Sequence, residues 1–182
     1  MTDLIEIKDD LVSPSLFNKL KGIIEPPTFP WYWSSTTASE TYNDGYSFSH
    51  LSYVDGQAVS QHNDLFHDAM LNALDKFDVK VESWYRTRLG LITNQNKELI
   101  HKSHVDQDTA HHTLLFYIID SDGDTYMYNK DDSIAKQITP KANRGVLFLG
   151  NIKHSSSLPL INDRRIAINV NFKIKGYDYN GY

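Results

Sequence analysis

The chain has 182 residues, of which 40% are hydrophobic and 23% are charged, a composition typical of one soluble globular domain. It contains no cysteine, which excludes disulfides, thiolate metal sites and cysteine nucleophiles and agrees with a cytoplasmic protein. The net charge of −5 disfavours binding to nucleic acid or to an anionic membrane, because such partners select basic surfaces. We expect a single domain over residues 1–182, without a secretory signal or a membrane-spanning helix.

Residues 1–78 are predicted to form a helical support region with a long loop. A first helix begins at Ser13 and Pro14, because serine is a preferred N-cap and proline suits the first helical position, and Pro26 ends it. Apolar residues at helical spacing predict a second helix over 61–77. The other predicted segments of this region are a strand at 4–8, an aromatic segment at 29–33, a loop or weak strands at 34–45, and a strand at 48–54. The aromatic residues between 29 and 46 suit a lid over a cleft as well as a core contact.

From residue 79 onward the pattern changes to strands and turns. Apolar or alternating runs predict strands at 84–93, 113–120, 125–129, 134–138, 144–149 and 165–174. The acidic run 120–124 is interpreted as a hairpin turn rather than a calcium loop, because its glycine stands fourth where an EF-hand needs it sixth. The chain is therefore predicted to be an α+β protein. Its core at 79–175 is expected to be a double-stranded β-helix (jelly roll, cupin-like), with the N-terminal helices packed on the sheet and a loosely held tail at 176–182.

A candidate metal site consists of His104, Asp106 and His154. Residues i and i+2 of a strand point to the same face, so His104 and Asp106 can reach one ion, and His154 follows 50 residues after His104. Two imidazoles and one carboxylate leave coordination positions open, as in non-haem Fe(II) oxygenases. On spacing alone, the alternative that His104 is a surface residue and His154 a loop residue stays open. The rival histidines are expected to be solvated or to lie beside the ligands; these are His101, His111 and His112.

Arg165 begins a strand with two different faces. Arg165, Ala167, Asn169 and Asn171 share one face, and the residues between them make the other face apolar. An arginine on the polar face can bind a carboxylate with two parallel hydrogen bonds. A structural ion pair is the alternative role for Arg165. The neighbouring Arg164 is predicted to point the opposite way.

Several segments together resemble a known family, and the resemblance covers most of the chain. They are Phe29-Pro30-Trp31-Tyr32, Tyr85-Arg86-Thr87-Arg88, His104-Val105-Asp106, Leu115-Phe116-Tyr117, Gly123-Asp124-Thr125, Asn143-Arg144-Gly145-Val146-Leu147-Phe148, Asn151-Ile152-Lys153-His154 and residues 164–172. This pattern resembles the 2-oxoglutarate/Fe(II)-dependent oxygenases, in particular the prolyl-4-hydroxylase-like proteins of bacteriophages of the cyanophage and marine-phage type.

The resemblance implies a site and its cofactors. It implies Fe(II) on His104, Asp106 and His154, with Arg165 as the anchor of the distal carboxylate of 2-oxoglutarate. Relatives often add a tyrosine hydroxyl to this anchor. By register Phe116 takes that position here, which leaves the hydroxyls of Tyr117 and Thr125 as candidates.

The resemblance also implies a reaction. An enzyme of this family consumes 2-oxoglutarate and O2, releases succinate and CO2, and hydroxylates a substrate, and ascorbate is a candidate reductant. The resemblance does not identify the substrate; a prolyl or other protein side chain and a small molecule are the candidates. A phage-encoded protein would act in the host cytoplasm.

Two other functions remain open at the level of the sequence. One is a non-catalytic, metal-binding β-sandwich that serves as a phage accessory or interaction protein. The other is a cupin-type metal enzyme that does not use 2-oxoglutarate, for which Arg165 would not be required.

Overall fold

The computed structural model describes residues 5–37 and 45–180. Within them lie two helices and eleven strands. The helices are α1 (Pro14–Ile24) and α2 (Asn63–Asp75). The strands are β1 (Ile5–Lys8), β2 (Tyr32–Ser34), β3 (Ser47–Val54), β4 (Gln57–Ala58), β5 (Val81–Thr93), β6 (His112–Tyr117), β7 (Thr125–Tyr128), β8 (Ile134–Ile138), β9 (Gly145–Leu149), β10 (His154–Ser156) and β11 (Arg164–Ile174).

Both predicted helices are present, and the first has the predicted start. Ser13 is the N-cap of α1, its Oγ accepts a hydrogen bond from the backbone N of Leu16 at 3.3 Å, and proline occupies the first turn. The helix ends at Ile24, two residues before Pro26. Helix α2 is shorter than predicted, because it begins at Asn63 without a side-chain cap.

The strands form two antiparallel sheets. The large sheet has the order β1-β9-β6-β11-β5-β3-β2, with β4 paired to β3, and the small sheet has the order β10-β7-β8. From β6 onward the chain alternates between the sheets: β6, β9 and β11 belong to the large one, and β7, β8 and β10 to the small one. A mostly β structure with two helices and this alternation agrees with a jelly roll.

One prediction about the chain path is wrong. Strand β7 does not form a hairpin with β6; it pairs with β8 and β10 in the small sheet. The carboxylate of Asp122 instead accepts hydrogen bonds from the backbone N of Leu160, Ile161 and Asn162, and so ties this turn to the loop before β11. In the N-terminal region the strands predicted at 4–8 and 48–54 are present as β1 and β3, and together with β2 and β4 they join the large sheet. Of the predicted loop at 34–45, residues 38–44 lie outside the described ranges.

Two apolar clusters lie on opposite faces of the large sheet. Side chains of α1 and α2, including Leu20 and Met70, pack with outward-facing residues of the sheet such as Phe116 and Ile168. The second cluster joins inward-facing residues of the large sheet, such as Tyr117, to Met127 of the small sheet. Alternate residues of the same strands therefore supply the two clusters.

The C-terminal segment is better held than predicted. The hydroxyl of Tyr179 lies 2.8 Å from Nδ1 of His112 and accepts a hydrogen bond from the backbone N of Ile174. The ring of Tyr177 lies edge-on to His112, with ring centroids 4.6 Å apart. Residues 177–180 are therefore anchored on the end of β6. Neither of the described helices has the length and apolar character needed to cross a membrane.

Candidate metal centre

His104, Asp106 and His154 converge in the structure, and one potential ligand atom from each lies within 4.8 Å of the others. The backbones of His104 and His154 form an isolated antiparallel bridge, with both N···O distances at 2.9 Å. Asp106 lies beyond this bridge in a bend, so the strand geometry that the sequence argument used for His104 and Asp106 is not what brings them together. The bridge explains how histidines 50 residues apart meet, and the bend turns the carboxylate toward β11.

Backbone carbonyls fix the orientation of both imidazoles. Nδ1 of His154 lies 3.1 Å from the carbonyl oxygen of Ile152, and Nδ1 of His104 lies 3.3 Å from that of Lys102. A carbonyl can only accept, so Nδ1 carries the proton in each ring and Nε2 keeps its lone pair. Nε2 of His154 lies 3.8 Å from Oδ2 of Asp106. Both rings therefore present the tautomer that a metal ion requires.

Four side chains donate hydrogen bonds to the carboxylate of Asp106. Nη2 of Arg86 donates to Oδ1 at 3.0 Å, and Nδ2 of Asn169 and of Asn171 each donate to Oδ2 at 3.0 Å. Oγ1 of Thr113 adds a longer contact to Oδ2 at 3.4 Å. Partners of this kind hold a ligand in its orientation before a metal arrives.

The surroundings keep Asp106 ionised and His154 neutral. Burial raises the pKa of Asp106, but the charges of His154 and Arg86 and the asparagine hydrogen bonds together lower it well below its usual range. Burial lowers the pKa of His154, so this ring is neutral at pH 7 and the lasting positive charge beside Asp106 is that of Arg86. A carboxylate with two imidazoles is a suitable donor set for Fe(II).

A second polar group lies deeper in the same cavity, around Arg165. Nη2 of Arg165 donates to Oγ1 of Thr125 at 2.9 Å, and the hydroxyl of Tyr117 donates to the same oxygen at 2.8 Å. Thr125 therefore has its own hydroxyl proton left for another acceptor. The guanidinium also lies over the ring of Tyr117, 5.4 Å from its centroid. Tyr117 is fully buried behind Thr125, and burial raises its pKa, so it remains a neutral phenol.

Arg165 is buried, and among the described residues it has no ion pair with a carboxylate. Its Nε has no hydrogen-bond partner there either, which is costly for a buried group. Gly123 lies close, since a Cβ at this position would be 3.2 Å from Cδ of Arg165. The packing therefore holds the cation in place; the charge of Asp124 acts on it, but no described carboxylate is within ion-pair distance, which leaves the guanidinium available to an anionic ligand.

One cavity of about 90 Å³ joins the two polar groups. It is lined by the three candidate ligands, by Thr125 and Arg165, and by small or apolar residues such as Ala167. Asn169 also lines it, and its Oδ1 is a buried atom without a partner among the described residues. Convergent nitrogen and oxygen donors at one end, with an unpaired guanidinium at the other, fit a ferrous ion and a dicarboxylate.

The structure also bears on the predictions for the rival histidines, for Arg164 and for Phe116. The rival histidines are not among the converging ligands, as predicted; His101, His111 and His112 are buried rather than solvated. Arg164 points away from the cavity, as predicted, and pairs with Glu25 at 3.6 Å. Phe116 does not occupy a position beside Arg165, because it faces the helices. Its neighbour Tyr117 faces inward.

The sequence alone does not identify the partners of Asp106. Arg86 lies two residues before Arg88 in a predicted strand, and this spacing is a signal that the two side chains share one face. Asn169 and Asn171 were placed on the correct face of β11, but nothing local shows that they donate to a carboxylate more than 60 residues away.

Sequence searches give no relatives: no protein-family model matches the chain, and no curated protein matches it. Solved structures do match. An oxidoreductase of the 2OG-Fe(II) oxygenase family from Burkholderia pseudomallei superposes with a TM-score of 0.73 at 10% identity, over 93% of this chain and 84% of that one. A prolyl hydroxylase from Trichoplax adhaerens, in complex with a peptide of a hypoxia-inducible factor, gives 0.68 at 14% identity, over 94% and 84%.

A viral protein is also similar in structure. The viral collagen prolyl hydroxylase from Paramecium bursaria Chlorella virus-1, solved with 2OG, gives a TM-score of 0.53 at 13% identity, over 92% of this chain and 94% of that one. At such identities the likeness concerns the fold. The chain thus has the fold of 2OG-Fe(II) oxygenase structures, prolyl hydroxylases among them, and a candidate His-Asp-His metal site.

Proposed function

We propose that residues 1–182 form a single Fe(II)- and 2-oxoglutarate-dependent dioxygenase domain with a double-stranded β-helix core. It would hydroxylate a substrate and release succinate and CO2. The observation that carries the proposal is the unpaired, buried guanidinium of Arg165 in the same cavity as the His104, Asp106 and His154 group. A structural ion pair, the alternative role for Arg165, has no partner carboxylate among the described residues.

Each residue would have a distinct role. His104, Asp106 and His154 would hold Fe(II), which supplies the activation of O2 and the oxidative decarboxylation of the keto acid. Arg165 would bind the distal carboxylate of 2-oxoglutarate, and Thr125 would add its remaining hydroxyl proton to the same carboxylate. Tyr117 would act as a positioning residue, because it holds Thr125 and does not line the cavity.

The proposal also covers the class of substrate and the biological setting. Kinship of fold with prolyl hydroxylases makes a prolyl or other protein side chain the first candidate, and a small molecule the second. The sequence pattern and the viral collagen prolyl hydroxylase among the similar structures support a phage prolyl-4-hydroxylase-like protein acting in the host cytoplasm. Ascorbate would serve as the reductant.

An anaerobic titration distinguishes this proposal from its alternatives. Fe(II) is added to the purified protein first and 2-oxoglutarate second, and the visible absorption is recorded. A charge-transfer band that needs both additions is expected. A non-catalytic metal-binding sandwich, or a cupin enzyme independent of the keto acid, would bind the metal without developing this band.

Arg165→Ala tests the co-substrate end of the cavity separately. Loss of a charged hydrogen bond of about 1.5–3 kcal/mol should weaken 2-oxoglutarate binding roughly ten- to hundred-fold and leave metal affinity nearly unchanged. Both constants can be measured in the same anaerobic titration. An equal loss of metal and 2-oxoglutarate affinity would mean that Arg165 is a structural residue.

A further inference from the structure

A second arginine of the cavity, Arg88, has no assigned partner. It lies on β5 two residues after Arg86, on the face that lines the cavity. Arg86 is paired with Asp106, whereas Arg88 has no ion pair and no side-chain hydrogen bond to any described residue. Burial lowers the pKa of Arg88, and the charge of Arg86 lowers it further. Two guanidiniums of like charge therefore lie side by side with a single carboxylate near them.

Arg88 lies at a different end of the cavity from Arg165. In the pairing of β5 with β11, Arg88 is opposite Asn169, while Ile92 is opposite Arg165. The four residues from Arg88 to Ile92 span about 13 Å along the strand. The carboxyl carbons of 2-oxoglutarate are only roughly 5 Å apart, as four carbon–carbon bonds allow. An anion held by Arg88 is thus distinct from the distal carboxylate held by Arg165.

We propose that Arg88 is a second carboxylate-binding residue of this cavity, at the metal end. The inference rests on the proposed function and deepens it. An arginine that lines a cavity, is partly buried and has no ion pair with a described residue is suited to a planar anion that it can bind with two hydrogen bonds. The same residue destabilises the protein when no ligand is bound, because a partly desolvated charge is left unpaired.

Two carboxylates could reach Arg88. One is the 1-carboxylate of 2-oxoglutarate, which would lie beside the metal because the distal carboxylate is on Arg165. The other is a carboxylate of the primary substrate, for example the free carboxyl group of an amino acid or of a peptide end. Both have the same chemistry, so separate measurements must distinguish them.

The first experiment uses the protein without metal or ligand and compares Arg88→Met with Arg86→Met by thermal unfolding. Methionine keeps much of the side-chain volume and removes the charge. Arg88→Met should raise the unfolding temperature by several degrees, because it removes an unpaired charge. Arg86→Met is the matched control, and it should lower the unfolding temperature because it leaves Asp106 without its cation.

The second experiment uses the Fe(II)-loaded protein under anaerobic conditions, with 2-oxoglutarate and then acetate as a carboxylate probe. A loss of tenfold or more in 2-oxoglutarate affinity in Arg88→Met would assign Arg88 to the 1-carboxylate. Wild-type 2-oxoglutarate affinity together with loss of an acetate-induced shift of the absorption band would assign it to the substrate carboxylate. Arg88→Lys keeps a cation and should retain part of either effect.

The outcomes separate the two proposals. If Arg88→Met does not raise the unfolding temperature, and if it matches wild type in 2-oxoglutarate affinity and in its response to acetate, the assignment of Arg88 is wrong and the oxygenase proposal stands. If wild type itself develops no band with Fe(II) and 2-oxoglutarate, the proposed function fails, and the assignment of Arg88 fails with it.

Discussion

The two faces of the large sheet differ in chemistry, although the same strands build both. On the outer face, β6 and β11 present Leu114, Phe116, Ile168 and Val170 to the helices, and all four are fully buried. On the inner face, β5, β6 and β11 present polar or charged residues beside apolar ones such as Leu115 and Ala167. The polar or charged residues are Arg86, Arg88, Thr113, Arg165, Asn169 and Asn171.

The inner face is ordered around a single carboxylate. Arg86, Thr113, Asn169 and Asn171 all donate to Asp106, and the remaining two arginines have no anionic partner among the described residues. Burial of polar groups costs stability unless every partner is present. The comparison therefore teaches that the outer face of β6 and β11 stabilises the fold through apolar packing against the helices, while the inner face combines a second apolar cluster with polar groups, two of which, Arg88 and Arg165, have no ion pair with a described residue.

The adjacent residues Phe116 and Tyr117 provide the strongest test of this division. Phe116→Ala should lower the free energy of unfolding by about 3–5 kcal/mol, because it empties a fully buried site against the helices. Tyr117→Phe should cost only about 1 kcal/mol, since it removes one hydrogen bond to Thr125 and little volume. Urea unfolding measures both values.

Ligand binding should show the reverse order for this pair. Any folded Phe116→Ala protein should bind 2-oxoglutarate with nearly wild-type affinity, whereas Tyr117→Phe should bind it several-fold more weakly. The division between the faces would be wrong if Phe116→Ala weakened 2-oxoglutarate more than Tyr117→Phe did.

His112 sharpens the comparison, because it is a titratable residue on the outer face of β6. Burial and the charge of nearby His111 lower its pKa from 6.5 to about 4. Between these values the unfolded chain binds the proton and the folded chain does not. Stability should therefore fall, as the pH drops from 6.5 to 4, by on the order of 3 kcal/mol from this residue alone.

His112→Gln is the matched control for this titration, because glutamine is uncharged and can still hydrogen-bond to Tyr179. Urea unfolding at a series of pH values should give a shallower decline for the variant than for wild type below pH 6.5. Identical declines in the two proteins would show that the titration of His112 does not cause the loss of stability below pH 6.5.

Arg86 tests the inner face at its metal end. Arg86→Met should reduce metal affinity roughly ten- to hundred-fold, because the partners of a ligand carboxylate set its orientation and charge. Arg86→Lys, which keeps the charge with a different geometry, should lose less. Competition with a chelator measures the affinities, and wild-type affinity in Arg86→Met would show that the asparagines alone hold Asp106.

Local signals were sufficient for the helices and for most strands. The Ser13-Pro14 start of α1, the helical spacing in α2 and the alternation along β11 are each set by neighbours within a few residues. The hairpin predicted after β6 was wrong because Asp122 bonds the loop at 160–162, a contact between distant segments that no local pattern encodes. The anchoring of the tail by His112 was missed for the same reason.

Prediction of the site is limited in the same way, by contacts between distant segments. His104, Asp106, His154 and Arg165 could be selected from residue type and resemblance, and the structure brings all four to one cavity. The donors to Asp106 could not be selected, since they come from β5, β6 and β11 and meet only when the sheet forms. The direction in which the Tyr117 side chain points likewise depends on the register of β6. The sequence argument assigned the position beside Arg165 to Phe116, one residue earlier.

The central claim is that the converging side chains form an iron centre that turns over 2-oxoglutarate. The most direct measurement is the release of succinate from 2-oxoglutarate by purified protein with Fe(II) and O2, in wild type and in Asp106→Ala. We predict iron-dependent succinate formation in wild type and none above background in the variant. Succinate formed at the wild-type rate by Asp106→Ala, or none formed by wild type across a panel of candidate peptides and metabolites, would contradict the claim.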